Sequence, residues 1–358
     1  MNSSSNSQPQ ISHAVRTGEA PVPRGEEPAF LITVDTEGDN LWARPKDVTT
    51  RNAEYLPRFQ ALCEKYGFKP TYLTNWEMAN CPAFVELGKD IIRWGAGEVG
   101  MHLHAWNSPP GFALTTDDDR FQPYLIEYPA EQIREKVKMM TGRLAEAFGR
   151  RPTSHRAGRW GFDATYAHIL IEQGYTVDCS VTPNVSWQFC KGDPAKGGGP
   201  DYTGFPESPY FLDSSDIARP GDSPLLELPV TVIGTRRFPA PVELARRRLA
   251  GSFFGTRVMR KAFPNTAWLM PTGSNGAALL QVLETVRRER RPYAQFVIHS
   301  SELMPGGSPK LPDQRAIDAM YEDIEAVFHS ASDFKGQTLT EFRDGFGVVP
   351  PLPQVRLP

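Results

Sequence analysis

Short apolar segments alternate along this chain with longer segments whose apolar residues recur at helical spacing. The first short segment, residues 29–34, is partly β-branched and runs into acidic residues and Gly38, which is typical of a buried strand. Similar segments predict strands at 70–74, 98–104, 154–158, 175–180, 225–230 and 295–299. Helical spacing predicts helices at 51–66, 81–94, 131–148, 162–173, 277–288 and 316–330.

This alternation predicts an α/β fold, because helices between successive strands favour parallel pairing. Polar residues follow the apolar strands directly, which is where (β/α) barrels carry their functional groups. We expect a disordered leader at residues 1–27, rich in Ser, Asn, Gln, Pro and Gly, and one folded unit at 28–345. Residues 185–224 are expected to form a loop-like insertion in that unit, and 346–358 an extended tail.

Composition excludes several classes of function. The 358 residues carry a formal net charge of -3, so the chain lacks the basic surplus of a nucleic-acid-binding protein. Its first residues lack the basic and apolar regions of a secretory signal, and no segment approaches the ~18 apolar residues of a membrane span. We therefore expect a cytoplasmic protein, whose four dispersed cysteines are buried thiols. The oligomeric state is left open.

Asp35 and Glu37 lie two residues apart at the end of the first strand, so their carboxylates project from one face. Two neighbouring carboxylates repel each other unless a cation or a proton lies between them. One of the pair can therefore ligate a metal while the other acts as a base. The alternative is an acidic turn after a strand, and for this pair taken alone that alternative is favoured.

His102 and His104 have the same two-residue spacing on the third predicted strand. Two imidazoles on one strand face can bind a single divalent metal. A site of two histidines and one carboxylate would leave coordination positions open for water and substrate, as catalysis requires. The alternative is a pair of half-buried histidines with ordinary hydrogen-bond partners, and the two interpretations are about equally favoured.

Two further residues have the chemistry to complete such a site. His299 ends a late apolar strand, where an imidazole is well placed for proton transfer near neutral pH. Arg156, in a short strand, would hold a neighbouring catalytic carboxylate ionised and fix its orientation. The alternative for His299 is a structural histidine bonded to nearby hydroxyls. The alternative for Arg156 is a surface ion pair that contributes little to stability.

Flat aromatic side chains lie near these segments, and sugar-binding sites often use such faces, although core packing is the commoner role of tryptophan. Trp106 and Trp160 are therefore candidate substrate-binding residues, and Asp178 is a third candidate whose alternative is a simple turn. No nucleophile elbow, P-loop or dinucleotide-binding glycine motif is present in the sequence. No cysteine has an evident base near it in the sequence.

The segments TVDTEGD, EVGMHLHAW, SHRAGRWGFD, DCS and FVIHSSE occur in this order. Together they resemble the polysaccharide deacetylase family, also called the NodB-homology group or carbohydrate esterase family 4, over residues 28 to 345. The resemblance implies a distorted, incomplete (β/α) barrel. It also implies metal-dependent hydrolysis of N- or O-linked acetyl groups, usually on sugars.

Residue by residue, the resemblance implies roles for the same side chains. Asp35 matches the family's catalytic base, and Glu37 matches the acidic metal ligand that follows it. His102 matches the first histidine ligand. Arg156 matches the arginine that pairs with the base, although Ala157 and Gly158 replace the usual prolines after it. His299 matches the general acid.

The chain departs from the family pattern at the second histidine ligand. The family usually places its two histidines four residues apart, but Trp106 occupies the later position here. His104 is the nearest substitute, and Asp39 or water are the other options. We accordingly predict Glu37, His102 and His104 as the metal ligands, with Zn²⁺ as the first expectation and Co, Ni or Fe as alternatives.

The sequence therefore predicts a metal-dependent deacetylase acting on an acetylated sugar or glycan. One alternative is a non-catalytic, sugar-binding member of the fold, motivated by Trp106. Another is an amidohydrolase that acts on a small non-sugar amide, which a narrow, closed pocket would favour. The fold alone cannot choose among these, because one scaffold hosts many functions.

Overall fold

The computed structural model describes residues 27–43, 45–188, 190, 192, 198–234 and 266–347. Its strands are β1 (Ala29–Thr36), β2 (Pro70–Thr74), β3 (Glu98–Leu103), β4 (Ser154–Ala157), β5 (Val177–Asp178), β6 (Tyr210–Phe211), β7 (Leu226–Glu227), β8 (Val232–Gly234), β9 (Thr266–Trp268), β10 (Tyr293–His299) and β11 (Lys335–Gly336). Its helices are α1 (Leu56–Lys65), α2 (Trp76–Ala79), α3 (Pro82–Trp94), α4 (Asp118–Phe121), α5 (Ala130–Phe148), α6 (Ala164–Glu172), α7 (Gly276–Glu289), α8 (Gln314–Ser330) and α9 (Leu339–Gly345). The leader expected at 1–27 lies outside the described residues except for residue 27, as does the expected tail beyond residue 347.

One curled sheet organises the fold. Among the described residues, nine strands form it in the order β10–β1–β2–β3–β4–β5–β7–β6, with β11 pairing beside the first residues of β1. Every pairing is parallel except that of β6 with β7. The two end strands, β10 and β6, do not pair with each other in this part of the chain. The predicted α/β class with an incomplete (β/α) barrel is confirmed.

Strand β1, which lies between β10 and β2, separates two parts of the core. All of its residues are buried, as expected for a parallel strand covered on both faces. Phe30, Ile32 and Val34 pack into the large apolar cluster that the surrounding helices complete. Leu31 packs instead with apolar residues of β2, β5, β7 and β10 inside the barrel. Because side chains alternate along a strand, the odd-numbered positions point inward, and Asp35 is the last of them in β1.

The helices cover the outer face, and their limits follow local sequence signals. Helix α3 ends before Gly95, whose backbone is left-handed with φ of 64°, a conformation that glycine adopts without steric cost. The helix predicted at 51–66 starts with a 3₁₀ turn, Arg51–Tyr55, and becomes α-helical only at α1. Pro57 explains this boundary, because proline is favoured in the first turn of an α-helix.

Two strands, β5 and β7, are shorter than the sequence predicts. The strand predicted at 175–180 is reduced to β5, and the one predicted at 225–230 is reduced to β7, which Pro229 follows closely. Proline has no N–H to continue a ladder, which accounts for the second boundary. Part of the expected insertion at 185–224 pairs with the barrel, because β6 extends the sheet antiparallel to β7.

Cys63, Cys81 and Cys179 are buried thiols, as expected, but the expectation is wrong for Cys190, which is only partly buried. Burial raises the pKa of Cys63 and of Cys179 well above the usual value. None of the helices in the described residues combines the length and the apolar character that crossing a membrane requires.

Candidate active site

The register of the sheet brings the predicted functional residues together. Asp35 pairs with His299 across β1 and β10, and His102 pairs with Arg156 across β3 and β4. Each of these residues lies at or near the carboxyl end of its strand, so their side chains gather at one end of the barrel. This is the end at which barrel enzymes carry their active sites.

Asp35 and Arg156 form an almost fully buried ion pair. Arg156 Nη1 donates to Asp35 Oδ1 at 2.6 Å, Nη2 donates to Thr33 Oγ1 at 2.8 Å, and Nε donates to the carbonyl of Cys179 at 3.2 Å. Burial by itself would raise the pKa of Asp35, but the charges of Arg156, His102 and His299 outweigh it and lower that pKa. Asp35 is therefore held ionised, in one orientation.

His299 lies on the other side of the Asp35 carboxylate. Its Nε2 is 3.7 Å from Asp35 Oδ2, and its Nδ1 is 3.1 Å from Glu302 Oε2, which also accepts the backbone N–H of His299 at 3.0 Å. Burial tends to lower the pKa of His299. The hydrogen bond to Glu302 and the charges of Glu302, Glu37 and Asp35 nevertheless raise it to about 9. His299 is therefore protonated at neutral pH.

Glu302 is a site residue for which the sequence predicted no role. It follows the strand that ends at His299, and it becomes significant only when the 3₁₀ turn Ser300–Leu303 folds its carboxylate back onto the histidine. The sequence does contain a signal for this role. A glutamate lies three residues after the histidine that ends the strand, which is the spacing of a capping box.

Glu37, His102 and His104 bring three potential ligand atoms to one buried point. The Nε2 atoms of His102 and His104 are 3.1 Å apart, and Oε2 of Glu37 is 2.9 Å from Nε2 of His104 and 3.5 Å from Nε2 of His102. Within the described residues, this is the set of histidine, cysteine and acidic side chains that converges closely enough to hold a metal ion.

These three atoms fit a divalent cation. Ligands bonded at ~2.0–2.1 Å in a tetrahedral site lie roughly 3.3 Å from one another, close to the separations found here. His102 Nδ1 donates to the carbonyl of Arg156 at 2.9 Å, which leaves the lone pair of its Nε2 facing His104 and Glu37. Two imidazoles and one carboxylate are the donor set of many catalytic zinc sites.

The pKa values in this cluster also suit metal binding. Burial would raise the pKa of Glu37, but the close contacts with the imidazoles of His102 and His104 lower it well below its ordinary value. Burial lowers the pKa of His104 and outweighs the opposing hydrogen bond to Glu37. The carboxylate is thus ionised and the His104 imidazole is neutral at physiological pH, the states in which both bind metals.

His104 occupies space that Gly158 leaves open. A Cβ atom on residue 158 would lie 2.6 Å from His104 Nδ1 and 2.7 Å from the carbonyl oxygen of Leu103, both closer than real contacts allow. The two departures from the family pattern are therefore adjacent in space. His104 lies two residues after His102 instead of four, and glycine lies two residues after Arg156, where a larger residue would crowd the ring.

Asp39, considered from the sequence as an alternative ligand, is directed elsewhere. Its carboxylate accepts hydrogen bonds from the Thr49 hydroxyl at 2.7 Å, from the Asn52 side chain at 2.7 Å and from the backbone N–H groups of Arg51 and Asn52. These bonds lower the pKa of Asp39 despite its burial. The suggestion that Asp39 replaces a histidine ligand is thus wrong, because this side chain secures the loop after β1.

The three predicted substrate-binding residues differ in position. The Trp106 ring packs against His104 with centroids 4.6 Å apart, and the Trp160 ring lies 5.0 Å from the Arg156 guanidinium. Asp178 is fully buried, and its carboxylate accepts the Ser180 hydroxyl at 2.6 Å and faces His155. Asp178 therefore lies behind the site and has no exposed surface that a substrate could contact.

Trp160 belongs to a group of three tryptophans beside the Asp35–Arg156 pair. Its ring is stacked with that of Trp187 at 6.4 Å, and both rings meet Trp268 edge-on. Arg159 and Trp160 both have left-handed backbones, with φ of 56° and 62°, which is uncommon for such side chains and typical of strained functional segments. The sequence did not single out Trp268, since it comes from the distant strand β9.

Solved structures support this fold. A protein described as a polysaccharide deacetylase from Mycobacterium smegmatis matches 95% of this chain and 99% of its own, with a TM-score of 0.52 and 15% sequence identity. A protein from Parabacteroides distasonis, described as a glycoside hydrolase/deacetylase, matches 89% of this chain and 71% of its own, with a TM-score of 0.54 and 12% identity. No family model and no curated protein matches the sequence. The chain thus has the fold of polysaccharide deacetylases.

Proposed function

We propose that this protein is a metal-dependent deacetylase that removes an acetyl group from a sugar or polysaccharide. The observation that carries the proposal is the geometry at the carboxyl ends of the strands. There, an ionised carboxylate lies between an arginine and a protonated imidazole, beside a three-ligand cluster that fits a divalent cation. Hydrolysis of an acyl bond needs a base, an acid and a group that polarises the carbonyl.

Asp35 is the proposed general base. It would accept a proton from the water that attacks the acetyl carbon, and it is suited to this role because it is ionised and cannot rotate away from Arg156. Arg156 does not touch the reacting atoms in this scheme. It positions the base, and its charge compensates the carboxylate in an environment that would otherwise favour the neutral acid.

His299 is the proposed general acid. As the carbon–nitrogen or carbon–oxygen bond breaks, its Nε2 would give a proton to the leaving amine or alcohol. The raised pKa supplies that proton at neutral pH, and Glu302 stabilises the imidazolium before transfer. Asp35 Oδ2 lies 3.7 Å from His299 Nε2, so the proton taken from water can return to His299 after turnover.

Glu37, His102 and His104 would hold the cation, and Zn²⁺ is the first candidate because two imidazoles and a carboxylate suit it. A divalent cation at this position would act as a Lewis acid that polarises the acetyl carbonyl and lowers the pKa of water. His104 offers a potential ligand atom where Trp106 offers none, which argues for the catalytic proposal over the non-catalytic alternative.

Acetate release from acetylated sugars would test the proposal directly. Asp35→Asn keeps the size of the side chain but removes the base, so acetate release should fall by roughly 10²–10⁴-fold while the fold is retained. Asp90→Asn, an exposed change on α3, is the matched control and should leave the rate unchanged. Undiminished acetate release by Asp35→Asn would overturn the assignment of the base.

Metal analysis provides a second test, independent of turnover. Purified protein should contain nearly one equivalent of a divalent metal, and a His102→Ala, His104→Ala double variant should contain almost none. If the wild-type protein takes up no metal even after addition of Zn²⁺, the deacetylase mechanism fails and the sugar-binding alternative gains support.

A further inference from the structure

One buried lysine lies outside the candidate active site and has no part in the proposed mechanism. Lys136, on α5, is only 1% exposed, whereas lysine is almost never fully buried unless it is paired. In the described part of the chain it forms no ion pair with a carboxylate. Its Nζ instead donates to the carbonyl oxygen of Ser108 and, at 2.8 Å, to that of Pro110. Both carbonyls belong to residues 105–112, the segment after β3, which we call the β3 loop.

Aromatic rings enclose the rest of the Lys136 ammonium group. Nζ lies 5.7 Å from the ring centroid of Phe112 and 5.8 Å from that of Tyr128, within the range of cation–π attraction. Burial lowers the pKa of Lys136 to about 8, against the opposing charge of Asp118, whose carboxylate accepts the Tyr128 hydroxyl at 3.1 Å. Lys136 is therefore mostly protonated at neutral pH, with carbonyl oxygens and ring faces in place of a paired carboxylate.

The β3 loop has few other attachments among the described residues. Pro109 and Pro110 have no N–H to donate, and residues 109–112 form no backbone–backbone hydrogen bond with this part of the chain. The Ser108 hydroxyl is buried and also lacks a partner there. Two carbonyl groups of the loop thus depend on Lys136 for their hydrogen bonds, because a buried carbonyl without a donor is costly.

The β3 loop begins next to a proposed metal ligand. A histidine that binds a metal usually donates its second ring N–H to an oxygen, which fixes the orientation of the ring. His102 has such an acceptor in the carbonyl of Arg156, but Nδ1 of His104 is buried without a partner in the described residues. Packing must therefore orient the His104 ring. The Trp106 ring, in the β3 loop, lies against it with centroids 4.6 Å apart.

We propose that Lys136 is a positioning residue for the metal site: it holds the β3 loop in place and, through Trp106, fixes the orientation of the His104 ring. The inference rests on the proposed function, since His104 is a ligand in that scheme, and it names a residue outside the site that controls the affinity for the cation. Lys136 touches neither the reacting atoms nor a ligand atom. Its loss should weaken metal binding, while the chemistry at a fully loaded site should change little.

The Zn²⁺ dissociation constant, measured by competition with a chromophoric chelator, tests this role. Lys136→Met keeps a side chain of similar length but removes the charge and the N–H donors. The dissociation constant should rise roughly tenfold, because loss of a group that supports a metal ligand typically costs about 10–100-fold in affinity. Lys138→Met makes the same change at an exposed position on α5 and should bind Zn²⁺ like wild type.

Acetate release at two Zn²⁺ concentrations separates positioning from misfolding. Lys136→Met should be slow at limiting Zn²⁺ and should return to about the wild-type rate at saturating Zn²⁺, which a misfolded variant would not do. Thermal unfolding checks that each variant is folded. If Lys136→Met does not fold, Lys136→Gln, which retains an amide donor, replaces it with the same expectations.

Fluorine NMR of the metal-free protein tests the β3 loop itself, independently of metal and turnover. In protein labelled with 5-fluorotryptophan, the Trp106 signal is the one of seven that disappears in Trp106→Phe. This signal should shift in Lys136→Met and stay in place in Lys138→Met.

An unchanged dissociation constant in Lys136→Met, or an unmoved Trp106 signal, would overturn the positioning role. A rate that stays low at saturating Zn²⁺ would also overturn it, because Lys136 would then affect more than metal affinity. If wild type binds Zn²⁺ and releases acetate while Lys136→Met behaves identically, only this inference fails. If wild type binds no Zn²⁺, the proposed function fails with it.

Discussion

The two halves of the candidate active site differ in how completely their side chains pair one another's charges and hydrogen-bonding groups. In the acid–base half, Asp35, Arg156 and His299, opposite charges are paired and Glu302 completes the hydrogen bonding of the histidine. In the metal half, Glu37 carries a buried negative charge that faces two imidazoles, and Nδ1 of His104 is buried without a hydrogen-bond partner in the described residues.

This difference indicates which half would depend on a bound cation. The acid–base half is a structural unit whose orientation is fixed by the protein alone, because a buried ion pair tolerates little displacement. The metal half brings lone pairs and a carboxylate together without a balancing charge, an arrangement that a cation would stabilise. Variants in the first half should therefore affect stability with or without metal, whereas variants in the second should affect mainly the response to metal.

The largest expected effect on stability is that of Arg156→Leu. Removing the arginine leaves the Asp35 carboxylate buried without its partner, which should lower the free energy of unfolding by ~3–5 kcal/mol. Urea unfolding of the metal-free protein measures this loss. Arg219→Leu breaks an exposed pair with Asp216 and should cost at most ~1 kcal/mol. If both arginine variants unfold at the same urea concentration, the claim that the acid–base half is a structural unit fails.

The metal response should depend on Gly158. A methyl group at this position would collide with His104, so Gly158→Ala should displace the ring and abolish most of the stabilisation by added Zn²⁺. That stabilisation is ~2.7 kcal/mol at a metal concentration 100 times the dissociation constant. Gly142→Ala, where an added Cβ meets nothing within 4 Å, should respond like wild type. A full thermal shift with Zn²⁺ in Gly158→Ala would show that His104 is not a ligand.

A smaller effect is expected on the titration of His299. Glu302→Gln removes the charge that most directly opposes the effect of burial, so the pKa of His299 should fall from about 9 by ~1–2 units. Because the folded-state pKa exceeds the unfolded value of 6.5, protonated His299 contributes stability below pH 6.5, and this is lost as the pH rises through 9.

NMR titration of the metal-free protein measures this pKa, with the exposed His168 on α6 as an internal reference. Activity should also decline at high pH as His299 loses its proton, and Glu302→Gln should bring that decline to lower pH. An unchanged His299 titration in Glu302→Gln would mean that Glu302 does not support the proposed acid.

The smallest effect is expected at Trp42. This side chain is 44% exposed, and its ring meets His299 edge-on with centroids 5.0 Å apart. Trp42→Ala should reduce acetate release by less than about tenfold, since an aromatic contact of this kind is worth ~0.5–1.5 kcal/mol. Trp94→Ala on α3 removes an even more exposed ring and should leave the rate unchanged. Equal rates for wild type and Trp42→Ala would show that this ring does not position the acid.

Local sequence patterns predicted much of the fold because they reflect local physics. Continuous apolar runs such as β1 must be buried on both faces, and the glycine after α3 permits the left-handed turn that ends it. The spacing of Asp35 and Glu37, and of His102 and His104, likewise put candidate ligands on common faces. Short strands such as β6, β8 and β9 gave no such signal, because their pairing depends on distant partners.

The sequence by itself determined the strand-and-helix order, the chemical types available and the strand ends that carry them. The tertiary structure decided which of those groups meet. It directed the Asp39 side chain toward the loop after β1, folded Glu302 onto His299, and placed Gly158 beside the ring of His104. These contacts join segments that are distant along the chain or separated by a tight turn. Their geometry follows from the register of the sheet and from backbone dihedral angles. The identity and spacing of residues do not specify either of these.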